Sequence, residues 1–292
     1  MTPRDQRPTL AGVTAQAPLP ERPPVWPGAQ IYTPDGRVFV RRSGNPAGPK
    51  LMLLHGWGVH GGMYEGMRAR LERDFELLVP DARGHGYSST PARPRSWELE
   101  DYARDLVAVM DSLEIDRVHL GGYSMGGFIA LALTQIAPER IERLAIMCSA
   151  ARQPSKAQRH LGFAEAAFKI LPAASMQVVA KRLLAGPGQR PDMERVMMWL
   201  LGYNTRGGLS GAARAMRRAD LRSGLADVRQ PTLLVTAEHD KAIPPALSRE
   251  LLDHIPDITH RHWDDAGHAL VASHGDELAE ALAGFFAPES TP

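Results

Sequence analysis

Two hydrophobic periods alternate along the chain. Lys50-Leu51-Met52-Leu53-Leu54 is a short apolar run of the kind buried on both faces of a sheet. Phe75 to Pro80, Val118-His119-Leu120, Ile141 to Met147, Thr232 to Thr236 and Ile258 to Trp263 read as further strands. Between them lie segments with helical spacing. In Trp97 to Leu113 the apolar positions are Leu99, Tyr102, Ala103, Leu106, Val109, Met110 and Leu113. Met63 to Arg73, Phe128 to Ala137, about Ala246 to His254 and Glu277 to Phe286 also read as helices. Ahead of them, Ile31-Tyr32-Thr33 and Arg37 to Arg41 flank Pro34-Asp35-Gly36, which predicts a hairpin. Strands alternating with helices predict an α/β fold: a mostly parallel, doubly wound sheet with helices on both faces.

The alternation stops from about Gln153 to Arg222. Leu161 to Leu171, Ala174 to Leu184, Met193 to Leu201 and Gly211 to Met216 read as helices, broken by Pro172, Gly186-Pro187-Gly188 and Gly202. This predicts a helical insertion over the sheet edge. It is rich in large apolar residues, most of which would seat it on the core. Phe163, Met197 and Trp199 are candidates for lining an apolar substrate pocket. Residues 1–29 are proline-rich and predict an extended tail. The expected partition is therefore a tail over 1–29, a core over 30–152 and 223–287, and a helical cap over 153–222.

Composition narrows the function classes. The apolar fraction of 43% in 292 residues suffices for a large core. A formal net charge of +1 argues against a nucleic-acid partner held by bulk charge. The single cysteine, Cys148, excludes an internal disulfide and a cysteine-based metal cluster, and fits a reducing, cytoplasmic setting. No window approaches a membrane span, and the N-terminus lacks the apolar core of a signal peptide. Oligomeric state stays open.

The candidate chemistry centres on Gly122-Tyr123-Ser124-Met125-Gly126, between a predicted strand and a predicted helix. In that context Gly-x-Ser-x-Gly puts a serine at the tip of a sharp turn, and its neighbours two residues away must be small. The helix that follows directs its first N–H groups at the site, so the Met125 N–H is a candidate oxyanion donor. A serine hydroxyl needs a general base, and that base needs a group holding its tautomer. The chain offers Ser124, Asp240 and His268 in that order, each after a predicted strand. Rival bases are His55, His85, His262 and His274; rival acids are Glu238 and Asp265.

Over roughly residues 30–287 the chain resembles the α/β-hydrolase family. The resemblance rests on His55-Gly56-Trp57-Gly58, Asp81-x-Arg83-Gly84-His85-Gly86-x-Ser88, the Ser124 turn, Asp240-x-x-x-Pro244 and Gly267-His268. It implies Ser124 as nucleophile, His268 as general base and Asp240 as its orienting acid. It implies the backbone N–H groups of Trp57 and Met125 as oxyanion hole, and loop-bracing roles for His55 and His85. Dehalogenases and epoxide hydrolases of this fold carry aspartate at the nucleophile position, so Ser124 implies acyl transfer instead. The closest branch is that of serine esterases, enol-lactonases and cofactor-free perhydrolases. The expected substrate is a small ester or lactone with an apolar part, and no metal or organic cofactor is required. A menaquinone-pathway type of lyase, a C–C bond hydrolase and a non-catalytic receptor remain alternatives. The lyase would need basic residues such as Arg152, Arg159, Lys181 and Arg182.

Overall fold

The computed structural model describes residues 26–91, 97–172, 200 and 203–287. The chain opens with a hairpin, β1 (Gly28–Thr33) and β2 (Gly36–Gly44), in which Thr33 pairs with Gly36 across Pro34-Asp35. Six more strands follow: β3 (Lys50–Leu54), β4 (Glu76–Pro80), β5 (Val118–Tyr123), β6 (Ile141–Met147), β7 (Thr232–His239) and β8 (Ile258–Gly267). They form one sheet in the order β1-β2-β4-β3-β5-β6-β7-β8. The β1–β2 and β2–β4 pairs are antiparallel and all other pairs are parallel.

Besides three short 3-10 turns, the α-helices bounded among the described residues are α1 (Glu65–Leu71), α2 (Leu99–Ser112), α3 (Met125–Ile136), α4 (Ser155–Ile170), α5 (Arg206–Arg218), α6 (Pro245–His254), α7 (Leu270–Ser273) and α8 (Gly275–Phe286). Strand alternation divides the core. Met52 and Leu54 of β3 point toward α2 and α3, where Val109, Met110, Phe128 and Leu131 are buried. Leu51 and Leu53 point the other way, toward Met67 and Leu71 of α1 and Leu282 and Phe286 of α8. Both faces are therefore covered, as the continuous apolar strands require.

Several boundaries move from their sequence expectation. Trp26 lies within the expected tail, yet it is buried and its Nε1 donates to Ser43 Oγ at 2.6 Å; β1 begins two residues later. Burying an indole outweighs the local proline signal. Helix α3 begins at Met125, three residues before Phe128, and so takes Gly126 and Gly127 into its first turn. Helix α5 begins at Arg206, five residues early, because Thr205 Oγ1 accepts from the Gly208 N–H at 2.9 Å and caps it. Helix α4 begins at Ser155, six residues before its expected start.

Helices α4 and α5 lie in the chain between β6 and β7 and pack on each other. Ser210 Oγ donates to the Glu165 carbonyl at 2.9 Å, and Arg217 pairs with the Glu165 carboxylate at 2.8 Å. At the base of this excursion Arg152 and Asp220 form an antiparallel bridge. The expected tail residues 1–25, the Ala174 to Leu184 helix, and all of the Met193 to Leu201 helix except Leu200 lie outside the described residues.

Candidate active site

Strand β5 ends at Tyr123 and α3 starts at Met125, so Ser124 makes the whole turn alone. Its backbone sits at φ 53°, ψ −114°, a region that costs a side-chain-bearing residue about 1–3 kcal/mol. Packing fixes the turn. A Cβ on Gly122 would stand 2.2 Å from the Gly126 carbonyl oxygen, and one on Gly126 would stand 2.2 Å from the Leu54 carbonyl oxygen. The Ser124 N–H donates to the Met147 carbonyl at 2.9 Å, and Ser149 Oγ donates to the Ser124 carbonyl at 2.8 Å.

The other two polar groups arrive from neighbouring strand ends. Asp240 follows β7 and is buried. Its Oδ1 accepts the Ala242 and Ile243 N–H groups at 2.9 and 2.7 Å. His268 follows β8, with Nδ1 2.7 Å from Asp240 Oδ2 and Nε2 3.0 Å from Ser124 Oγ. A carboxylate only accepts, so the shared proton sits on Nδ1 and the Nε2 lone pair faces the serine hydroxyl. Tyr123 steadies the ring: its hydroxyl donates to the His268 carbonyl and its ring lies 5.8 Å from the imidazole.

Trp57 lies on the loop after β3. The neighbouring Gly56 lies beside Ser124: a Cβ there would meet the serine Cβ in ordinary contact at 3.5 Å. The Trp57 indole donates to the Leu209 carbonyl of α5 at 3.1 Å and meets Phe168 of α4 edge-on at 6.0 Å. Met125 is the first residue of α3, where a backbone N–H has no acceptor within its own helix.

The rival groups are engaged elsewhere. His55 lies within hydrogen-bond distance of the Gly56 carbonyl through Nδ1 (2.7 Å), and its Nε2 accepts from the Ala82 N–H at 2.9 Å. His85 Nδ1 lies 3.0 Å from the Arg83 carbonyl. His262 faces Thr236 and Glu238, and His274 faces Asp265. Glu238 and Asp265 are mainly exposed. Arg152 is paired with Glu250 at 2.8 Å, while Lys181 and Arg182 lie outside the described residues.

A buried network that the sequence did not disclose joins the two glycine-bearing loops, the one after β3 (His55-Gly56-Trp57-Gly58) and the one after β4 (Asp81 to Ser88). Asp81 accepts the Gly61 N–H at 2.8 Å and the Tyr87 N–H at 2.9 Å, and it pairs with Arg41 from β2. Arg41 Nη2 lies 3.2 Å from His60 Nδ1. Burial opposes the Asp81 charge, but Arg41 prevails and holds the carboxyl down at about 2. Burial lowers His60 and His85 to about 3 and also lowers His55. The only sequence signal for Arg41 and His60 was proximity to the motifs, because the contact spans 40 residues.

Of the expected pocket residues, Phe163 is corrected: it is 78% exposed. Phe168, five residues on, turns inward to Trp57, since five residues of helix rotate a side chain by well over a quarter turn. Met197 and Trp199 lie outside the described residues. Cys148 is buried at the end of β6; burial and the nearby Asp240 charge push its thiol well up, so it stays protonated. Among the described residues no group of three or more His, Cys, Asp or Glu side chains is placed to hold a metal ion, and no helix is long and apolar enough to cross a membrane.

A family model described as alpha/beta hydrolase fold matches residues 49–274. A pimeloyl-[acyl-carrier protein] methyl ester esterase of Methylococcus capsulatus is 28% identical, over 86% of this chain and 98% of that protein. A putative carbamate hydrolase, RutD, of Azorhizobium caulinodans is 29% identical, over 82% of this chain and 91% of that protein. The solved structure of a hydrolase from Pseudomonas aeruginosa superposes with a TM-score of 0.83 at 25% identity, over 89% of this chain and 98% of that one.

Proposed function

We propose that this chain, which belongs to the α/β hydrolase fold family, is a serine hydrolase that cleaves carboxylic esters or lactones through an acyl-enzyme. The observation that carries the reading is the unbroken chain of hydrogen bonds from Ser124 Oγ through His268 to the buried Asp240. In this reading His268 Nε2 takes the hydroxyl proton as Ser124 Oγ attacks the ester carbonyl. Asp240 holds the tautomer and stabilises the imidazolium that forms. The Trp57 and Met125 N–H groups receive the negative charge that develops on the carbonyl oxygen; one such donor contributes about 100- to 1000-fold in rate. His268 then returns the proton to the departing alcohol, activates a water, and the acyl-enzyme is hydrolysed. The water's proton passes through His268 back to Ser124 Oγ as the acid leaves, and no step changes an oxidation state, so this chemistry needs no redox partner. The esterase and carbamate hydrolase names of the relatives support acyl transfer over elimination. Residues 153–222 are read as a cap that bounds the acyl site.

The test is turnover of p-nitrophenyl esters from acetyl to dodecanoyl, with intact mass after treatment with an organophosphonate. Turnover by the native chain, with one adduct that disappears in Ser124→Ala, is the expected result. An adduct that persists in Ser124→Ala would place the nucleophile elsewhere.

A further inference from the structure

A cavity of about 430 Å³ opens between α4 and α5, lined by Trp97, Glu165, Phe168, Lys169, Arg206 and Arg214 among others. Its charges are unevenly balanced. Glu165 is satisfied by Arg217 at 2.8 Å and Lys169 at 3.4 Å, and although burial opposes its charge, these cations hold its carboxyl below the ordinary value. Arg206 donates to the Ile170 carbonyl at 3.2 Å. Arg214 has no acceptor among the described residues, and its Nε is shielded from solvent. Arg214 as a whole is half-buried, and a shielded N–H with no acceptor is an arrangement that folded proteins rarely leave uncompensated. The indole of Trp97 and the ring of Phe168 supply the apolar part of the wall, beside Ser210 and two glycines of α5. The size lies within the ordinary range of small-molecule pockets.

We infer that this cavity is a binding site for a small organic carboxylate with an apolar, aryl-sized body. The carboxylate would be received by Arg214 with Arg206 beside it, and the body would rest against Trp97 and Phe168. Lys169 and Arg217 share Glu165, while Arg206 meets only a neutral carbonyl and Arg214 no carboxylate among the described residues, so the cavity carries an excess of positive charge that favours an anion. The planar fork of arginine favours a carboxylate. The site is distinct from Ser124, but Phe168 links the two, since the ring that lines this cavity also packs on Trp57. The inference does not depend on the proposed reaction, and the experiment keeps the two apart.

The probe is 4-phenylbutyrate, titrated calorimetrically into the full chain carrying Ser124→Ala, with 4-phenylbutanamide as its uncharged counterpart. Saturable one-to-one binding of the acid is expected, at least about tenfold tighter than the amide. Arg214→Gln should weaken the acid by about tenfold or more, leave the amide unchanged and leave the melting temperature within a degree or two. Arg206→Gln, the second variant, should weaken the acid by a smaller factor. Equal binding of acid and amide, unaltered binding by both variants, or no binding to the Ser124→Ala chain would each overturn the assignment. Sulfate binding as tightly as 4-phenylbutyrate would overturn the role given to the aromatic walls.

Discussion

The indole Nε1 of Trp57 donates to the carbonyl of Leu209, joining the loop after β3 to the first turn of α5 at 3.1 Å. The two residues lie 152 positions apart in the chain. If the Trp57 N–H serves as an oxyanion donor, this bond helps to hold it in place. Trp57→Phe keeps an aromatic ring and deletes the bond. A neutral hydrogen bond contributes about 0.5–1.5 kcal/mol net, so kcat on p-nitrophenyl butyrate should fall about 2- to 10-fold. The same kcat in the variant would show that α5 does not position the loop.

Ser124 separates chemistry from strain. Ser124→Ala should lower kcat by a factor on the order of 10⁴ to 10⁶ while the chain stays folded. Ser124→Gly should be equally inactive, yet more stable by about 1 kcal/mol, because glycine accepts φ 53° without steric cost. Urea unfolding monitored by circular dichroism reads the difference. A glycine variant less stable than the alanine variant would show that the turn is not strained.

Arg41 and Asp81 form a buried pair beneath both glycine-bearing loops. Removing one member leaves an uncompensated charge, which typically costs about 3–5 kcal/mol. Arg41→Met should therefore destabilise the chain by about 3 kcal/mol, the low end, since Asp81 retains its two backbone donors. A loss under about 1 kcal/mol in the same unfolding assay would rule out a supporting role for the pair.

The buried histidines set an acid limit. His60 and His85 titrate near 3 in the folded chain, and His55 is lowered too, whereas the ordinary value is 6.5. Between those limits the unfolded chain binds more protons than the folded one. Their contribution to stability is thus complete above about pH 6.5 and drains away as pH falls toward 3. Each such group adds about 1.4 kcal/mol per pH unit to the slope. Asp81, held near 2, adds a further loss only below about pH 4. Urea midpoints should be level from pH 7 to 8 and fall steeply from pH 6 to 4. His60→Asn should make that fall shallower. A flat profile down to pH 4.5 would contradict the assignment of neutral, buried imidazoles.

The sequence by itself carried the order of strands and helices, because continuous apolar runs such as Leu51 to Leu54 can only be buried on two faces. It carried the Ser124 turn as well, since the glycines at 122 and 126 leave a local signature. It also brought forward Asp240 and His268, because parallel strands gather their C-terminal ends along one rim of the sheet. What it did not carry were contacts between distant segments. The inward turn of Phe168 and the exposure of Phe163 depend on which face of α4 meets α5 and Trp57, and helical periodicity is nearly silent where both faces hold large apolar residues. The Arg41–Asp81–His60 network and the unpaired Arg214 were likewise invisible, because a charge on a surface helix and a charge in a cavity have the same local sequence. Those positions are decided only when the sheet and the helices close upon one another, since burial and pairing belong to the packed state and not to any one segment.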